Sequence, residues 1–154
     1  MKCNIISVGH KLSKWESEGI NFYTKQLPKN FKINFIDIKG KQHPKMAKDE
    51  ILKLEEDLIL QKLTNKEKII VCDNSGISFS SFELSNHLKK SFDLNHETTF
   101  VIGGSFGLSK RILDKADFIF SASRLTFPHR LFKLILIEQI YRANSIINNQ
   151  PYHK

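Results

Sequence analysis

Cysteine is scarce in this chain: two residues in 154. Cys3 and Cys72 lie far apart, each inside an apolar run that reads as a strand. That excludes a disulfide scaffold and points to reduced, packed thiols. Long hydrophobic runs are also missing. Nothing approaches the roughly 20 apolar residues that cross a bilayer, and the most apolar helical stretch is broken by Lys133 and Glu138. The first apolar run, residues 4–8, is too short for a signal-peptide core, and no small-residue cleavage site follows it. A cytoplasmic protein without membrane attachment is therefore expected. The six histidines show no metal-ligand spacing, so no metal is expected.

Acidic residues are the minority. Sixteen Asp and Glu stand against 24 Lys and Arg, a formal net charge of +8, and an excess of this size suits a polyanionic partner, because each phosphate neutralised releases counterion. The basic residues cluster twice. Lys25, Lys29, Lys32, Lys39, Lys41, Lys45 and Lys48 face only Asp37 in their window, while Arg124, Arg130, Lys133, Arg142 and Lys154 are opposed locally only by Glu138. A lysine run can equally be a solvated face, so the clusters gain meaning only from what lies between them.

With 40% hydrophobic and 26% charged residues the composition is that of one ordinary globular domain, residues 1–154, without linker or repeat. Short runs rich in Ile, Val and Phe predict strands at 4–8, 33–38, 68–72, 98–102 and 118–121. Amphipathic patterns predict helices at 13–25, around Trp15, Ile20, Phe22 and Tyr23, and at 48–62, around Ile51, Leu54, Leu58 and Leu60. Shorter helices are predicted at 81–92, capped by Ser80 or Ser81, and at 109–116. Strands alternating with helices give an α/β domain, a mainly parallel sheet flanked by helices. The last predicted helix, 128–147, is apolar around most of its circumference, which calls for cover on more than one side. A second copy of the chain would supply it, as a two-fold homodimer.

Three segments end predicted strands, where open α/β sheets place their ligands. Cys72-Asp73-Asn74-Ser75-Gly76 runs into a turn of the Asx kind. Gly103-Gly104-Ser105-Phe106-Gly107 lacks the spacing of a dinucleotide or P-loop motif, but its glycines let a ligand approach backbone with no Cβ in the way. Ser121 to His129 forms a loop that Pro128 holds extended up to the helix start. Its amides and carbonyls suit the edge of an adenine, and Leu125 and Phe127 suit its faces.

Gly103-Gly104 with Gly107-Leu108, Leu125-Thr126-Phe127-Pro128-His129, Glu138-Gln139-Ile140-Tyr141-Arg142-Ala143 and Tyr152-His153-Lys154 together resemble the ribosomal RNA large subunit methyltransferase H family, along the whole chain. The resemblance implies a SPOUT fold with a C-terminal trefoil knot, a homodimer, and S-adenosylmethionine as methyl donor. The implied substrate is N3 of a pseudouridine in 23S rRNA of the assembled ribosome. Carried over by position, the donor site falls on Cys72, Gly103, Ala122, Ser123, Arg124, Leu125, Thr126 and Phe127. Cys72 stands where many members have leucine. His129, Arg142 and His153 are the groups available to help N3 lose its proton, and Lys39, Lys41, Lys45, Arg142, Tyr152 and His153 are the candidates for RNA contact. The competing readings are a non-catalytic RNA-binding α/β module and a nucleotide-binding enzyme that uses the glycine turn for phosphate.

Overall fold

The computed structural model describes residues 1–9, 11–40 and 45–153, the last without its side chain. In chain order the elements are β1 (Lys2–Gly9), α1 (Lys14–Thr24), β2 (Lys32–Lys39), α2 (Lys48–Leu60), β3 (Glu67–Ser78), α3 (Ser81–Asp93), β4 (Glu97–Ile102), α4 (Lys110–Leu113), β5 (Phe118–Ser121) and α5 (His129–Ile147), followed by a 3-10 turn at Pro151–His153. The five strands form one sheet in the order β2-β1-β4-β3-β5, and every pairing is parallel. All five C-terminal ends consequently share one edge.

Alternation along the strands divides the core in two. Ile5, Ile70, Phe100 and Phe120 pack with Ile20 of α1, Leu84 and Leu88 of α3, and Leu136, Ile137 and Ile140 of α5. Ile6, Val71 and Val101 point the other way, onto Ile59 of α2 and Ile112 of α4. Three helices thus cover one face and two the other. Among the described residues no helix is long and apolar enough to cross a membrane.

Several local expectations are corrected. In α1 only Glu16 and Ile20 are buried, whereas Trp15 and Phe22 stand 50% and 62% exposed. In α2 the sheet-facing row is Ile51, Glu55 and Ile59, at helical spacing, with Glu56 beside it. Glu56 tolerates burial because Ser109, Lys53 and Arg111 all bond to it, which holds its carboxyl at about 2. The helix expected at 109–116 is one turn, Lys110–Leu113, capped by Ser109. Ser80 rather than Ser81 caps α3, its amide donating to Glu83 at 2.7 Å and its hydroxyl accepting from the Glu83 amide at 3.2 Å.

β3 also runs further than predicted. Cys72 and Ile77 both pair with Phe120, so residues 73–76 loop out between them as a bulge. The expected Asx turn is there: the Ser75 amide donates to the Asp73 carboxylate at 2.9 Å. Only glycine fits at 76, where a Cβ would lie 2.5 Å from the Ile119 backbone.

The apolar circumference of α5 finds most of its cover within the chain. α1 and α3 flank it and the sheet lies beneath, leaving Ile137 and Ile140 fully buried. Leu131, 38% exposed, marks the side left open.

Candidate active site at the C-terminal edge of the sheet

The bulge of β3, the loops following β4 and β5 and the first turn of α5 enclose a cavity of about 460 Å³, within the roughly 300–1,000 Å³ of small-molecule sites. Of the residues assigned to a donor, Cys72, Gly103, Ala122, Ser123, Leu125, Thr126 and Phe127 line it, and so does His129. Arg124 is not part of the lining. Ser121, the first residue of the predicted loop, also lines it, as do Phe120 and Phe132, which nothing local singled out. Phe120 lies next to the end of β5 and Phe132 falls one turn into α5, so both reach the cavity through topology and not through a motif.

The walls combine apolar surface with directional polar groups. Phe120, Leu125, Phe127 and Phe132 supply apolar cover, and the Asn74 amide donates to the Thr126 hydroxyl at 3.4 Å, tying the β3 bulge to the β5 loop. The Leu125 amide donates to Ser123 Oγ at 2.9 Å, and Ser121 Oγ donates to the Ser123 carbonyl at 2.9 Å. The loop is therefore pre-shaped by its own hydroxyls. Burial, reinforced by the neighbouring Asp73 charge, pushes the Cys72 thiol far above its usual range, so it lines the wall as a neutral, unreactive group. Cys3, buried in β1, is pushed up to about 12 by burial, and neither cysteine is in a disulfide.

Gly103 plays a different part from the one expected. A Cβ there would meet the Gly107 carbonyl oxygen at 2.6 Å and Leu108 at 2.8 Å. The missing side chain lets the turn close on itself, as the Gly104 to Gly107 bridge shows, and the closed turn then forms the cavity wall.

The second basic cluster is largely neutralised in space. Lys133 is buried and donates to Asp37 at 2.6 Å and to Ser7 at 2.9 Å. Arg130 meets Glu16 at 3.4 Å and donates to the Lys11 carbonyl at 3.2 Å. Arg142 donates twice to Glu138 Oε1, at 3.0 and 2.6 Å, and its guanidinium lies 4.8 Å over the Tyr152 ring. The Tyr152 hydroxyl donates to the same Glu138 oxygen at 3.1 Å. Burial and these bonds push the Tyr152 phenol up.

Arg142 and Tyr152 do not join His129 within one chain. Arg142 lies thirteen positions along the helix from His129, about 20 Å at 1.5 Å per residue, and neither Arg142 nor Tyr152 lines the cavity. Lys39 ends β2 opposite Gly9 on the cavity's edge of the sheet and is exposed, as is Lys45. Lys41 and the side chain of His153 lie outside the described residues.

The family model described as "Predicted SPOUT methyltransferase" matches residues 1–153 of this all-parallel α/β chain. The chain belongs to the SPOUT methyltransferases. It is similar to proteins named ribosomal RNA large subunit methyltransferase H from Caldicellulosiruptor bescii, at 43% identity over 97% of this chain and 98% of that one. Those from Acetivibrio thermocellus, at 38% over the full length of both, and Legionella pneumophila, at 40% over 100% of this chain and 99% of the other, carry the same name.

Proposed function

We propose that this protein methylates N3 of a pseudouridine in 23S rRNA of the assembled ribosome, with S-adenosylmethionine as donor. The observation that carries the reading is the cavity of about 460 Å³ built from the β3 bulge and the loops after β4 and β5, in a chain full-length similar to proteins named for large-subunit rRNA methylation. The residues present fit the donor. Leu125 and Phe127 cover the faces of an adenine, the backbone of residues 122–127 meets its edge, and Asn74 and Thr126 offer polar atoms. When bound, the donor supplies an electrophilic methyl carbon on a sulfonium.

The chain's own task is alignment more than covalent chemistry, since in-line transfer rewards correct positioning above all. His129 stands at the cavity wall, where it meets the acceptor nitrogen and takes its proton. The Arg142, Glu138 and Tyr152 cluster lies too far along α5 to serve the same chain's cavity. A homodimer resolves this: the C-terminal turn of one subunit, with Tyr152 and His153, completes the cavity of the other. Trp15, Phe22 and Leu131, apolar and exposed on α1 and α5, form the face for that partner. Lys39, Lys41 and Lys45 then meet the rRNA backbone. Threading of the C-terminal segment into a trefoil knot and residence in the cytoplasm belong to the same reading.

A thermal melt tests the donor assignment, because a ligand that binds only the folded state raises the transition temperature. S-adenosylmethionine and S-adenosylhomocysteine should each raise it while ATP leaves it unchanged. Stabilisation by ATP alone would instead select a nucleotide enzyme. Gly103→Val should melt a few degrees lower, since overpacking costs about 1–3 kcal/mol, yet bind S-adenosylhomocysteine at least about tenfold more weakly by calorimetry. Unchanged affinity would remove the turn from the donor site.

A further inference from the structure

Behind the His129 ring lies a second chamber, of about 20 Å³, room for one water molecule. Ser7, Gly9, Glu16, Asp37, His129 and Lys133 are among its walls. His129 lines both this chamber and the large cavity, so its imidazole is the partition between them. Backbone passes close on the chamber side: a Cβ on Gly9 would lie 3.3 Å from His129 Nε2.

Among the described residues, the charges around the ring come from four elements. Asp37 of β2 is held by Lys133 of α5, and Glu16 of α1 meets Arg130 of α5. On the cavity side stand Asp73 and the neutral Cys72 thiol. Glu16 is 1% exposed. One of its oxygens, Oε2, accepts the Ser13 amide at 2.8 Å and the Ser13 hydroxyl at 2.5 Å. The other, Oε1, is buried and has no hydrogen-bond partner among the described residues. Burial works against the ionised form, but the Ser13 bonds and the charges of Arg130 and Lys133 together outweigh it and hold the carboxyl below its usual range. Glu16 is a carboxylate at neutral pH with one buried acceptor oxygen to spare, and it is one of the residues that wall the one-water chamber.

We propose that Glu16 is a positioning residue for methyl transfer, acting on His129 through one water seated in this chamber. The water donates to Glu16 Oε1 and accepts from the imidazole, which fixes the ring's orientation and offsets the charge it gains. In the transfer step the N–H bond of the acceptor nitrogen breaks and an N–H bond forms on the imidazole. The electron pair left on that nitrogen bonds the methyl carbon as the carbon–sulfur pair returns to sulfur. The imidazolium so formed faces the Glu16 carboxylate, and without that carboxylate it would face the Arg130 guanidinium with its partner removed. The role in transfer rests on the function proposed above, whereas the coupling between Glu16 and His129 does not.

Histidine ring titration by NMR, on the full chain without donor or ribosomes, tests the coupling, with the His129 signal assigned by its loss in His129→Gln. Glu16→Gln keeps an oxygen for the Ser13 amide and removes the charge. It should move the His129 midpoint down by about half a unit or more, since a lost anionic neighbour disfavours the protonated ring. Ser13→Ala loosens the helix cap but keeps the carboxylate, and should leave the midpoint in place. In methylation assays the acid limb of the rate profile should move down with the ring in Glu16→Gln. An unmoved midpoint in Glu16→Gln, or an equal shift in Ser13→Ala, would reduce Glu16 to a helix cap and overturn the proposal. A moved midpoint with no methylation by the unaltered protein would leave the coupling standing and defeat the functional reading alone.

Discussion

Ile137→Asp should yield no folded protein. Ile137 is fully buried where α5 crosses the sheet between α1 and α3, among Ile20, Leu84, Leu88 and Ile140. Losing an isoleucine's burial removes about 1.5–3 kcal/mol, and a carboxyl enclosed without partners costs several more. Domains of this size are stable by only about 5–15 kcal/mol. Circular dichroism should show no cooperative transition, while Ile137→Val, costing about 0.5–1.5 kcal/mol, melts normally. Because α1 and α3 cover this side of the helix, the loss is one of folding before assembly. Leu131→Asp, on the exposed side, should instead leave a folded chain whose sedimentation shows weakened self-association. A cooperative melt of Ile137→Asp near that of the unaltered protein would contradict the packing described here.

Arg142→Ala should separate donor binding from transfer. Arg142 does not line the cavity, so affinity for S-adenosylhomocysteine should stay within a few-fold. Methylation of ribosomes should fall by about a hundredfold or more, the scale on which removing one preorganised charge-stabilising group acts. The guanidinium is braced for such a task, bonded twice to Glu138 and stacked under Tyr152. Arg142→Lys should not restore the rate, because an ammonium lacks the planar fork that engages Glu138 and the aromatic face together. Loss of donor affinity in Arg142→Ala would place the residue in the donor site instead, and a full methylation rate would make its bond to Glu138 only a helix-surface pair.

The sheet was legible because its strands are buried on both faces. Runs such as Ile69, Ile70 and Val71 then read as continuous apolar segments, and β5 lies at Phe118–Ser121 as its Phe-rich run predicts. The extension of β3 past the bulge was hidden, because Asn74, Ser75 and Gly76 carry turn chemistry while pairing resumes only at Ile77. Helix faces were less legible where charge is buried. Glu16, Glu55 and Glu56 sit inside, and nothing in a linear pattern tells a buried glutamate from a solvated one. Trp15 and Phe22 err the other way, since an aromatic counts toward an apolar face whether it packs inward or awaits a partner. The donor loops were found through the glycine and proline turns and the resemblance those motifs carry. The chamber behind His129 was not, because Ser7, Glu16, Asp37 and Lys133 come from four elements and meet only in the fold. The second basic cluster was overstated for the same reason, its acids Asp37 and Glu16 lying far away in sequence.

The most direct test of the account supplies the protein with S-adenosylmethionine carrying an isotopically labelled methyl group and with ribosomes from cells lacking this gene, then digests the rRNA and identifies the labelled nucleoside by mass spectrometry. One labelled product is expected, N3-methylpseudouridine from 23S rRNA, formed on assembled ribosomes and lost in Arg142→Ala. Label absent from 23S rRNA, or carried there by a nucleoside other than a pseudouridine, would contradict it.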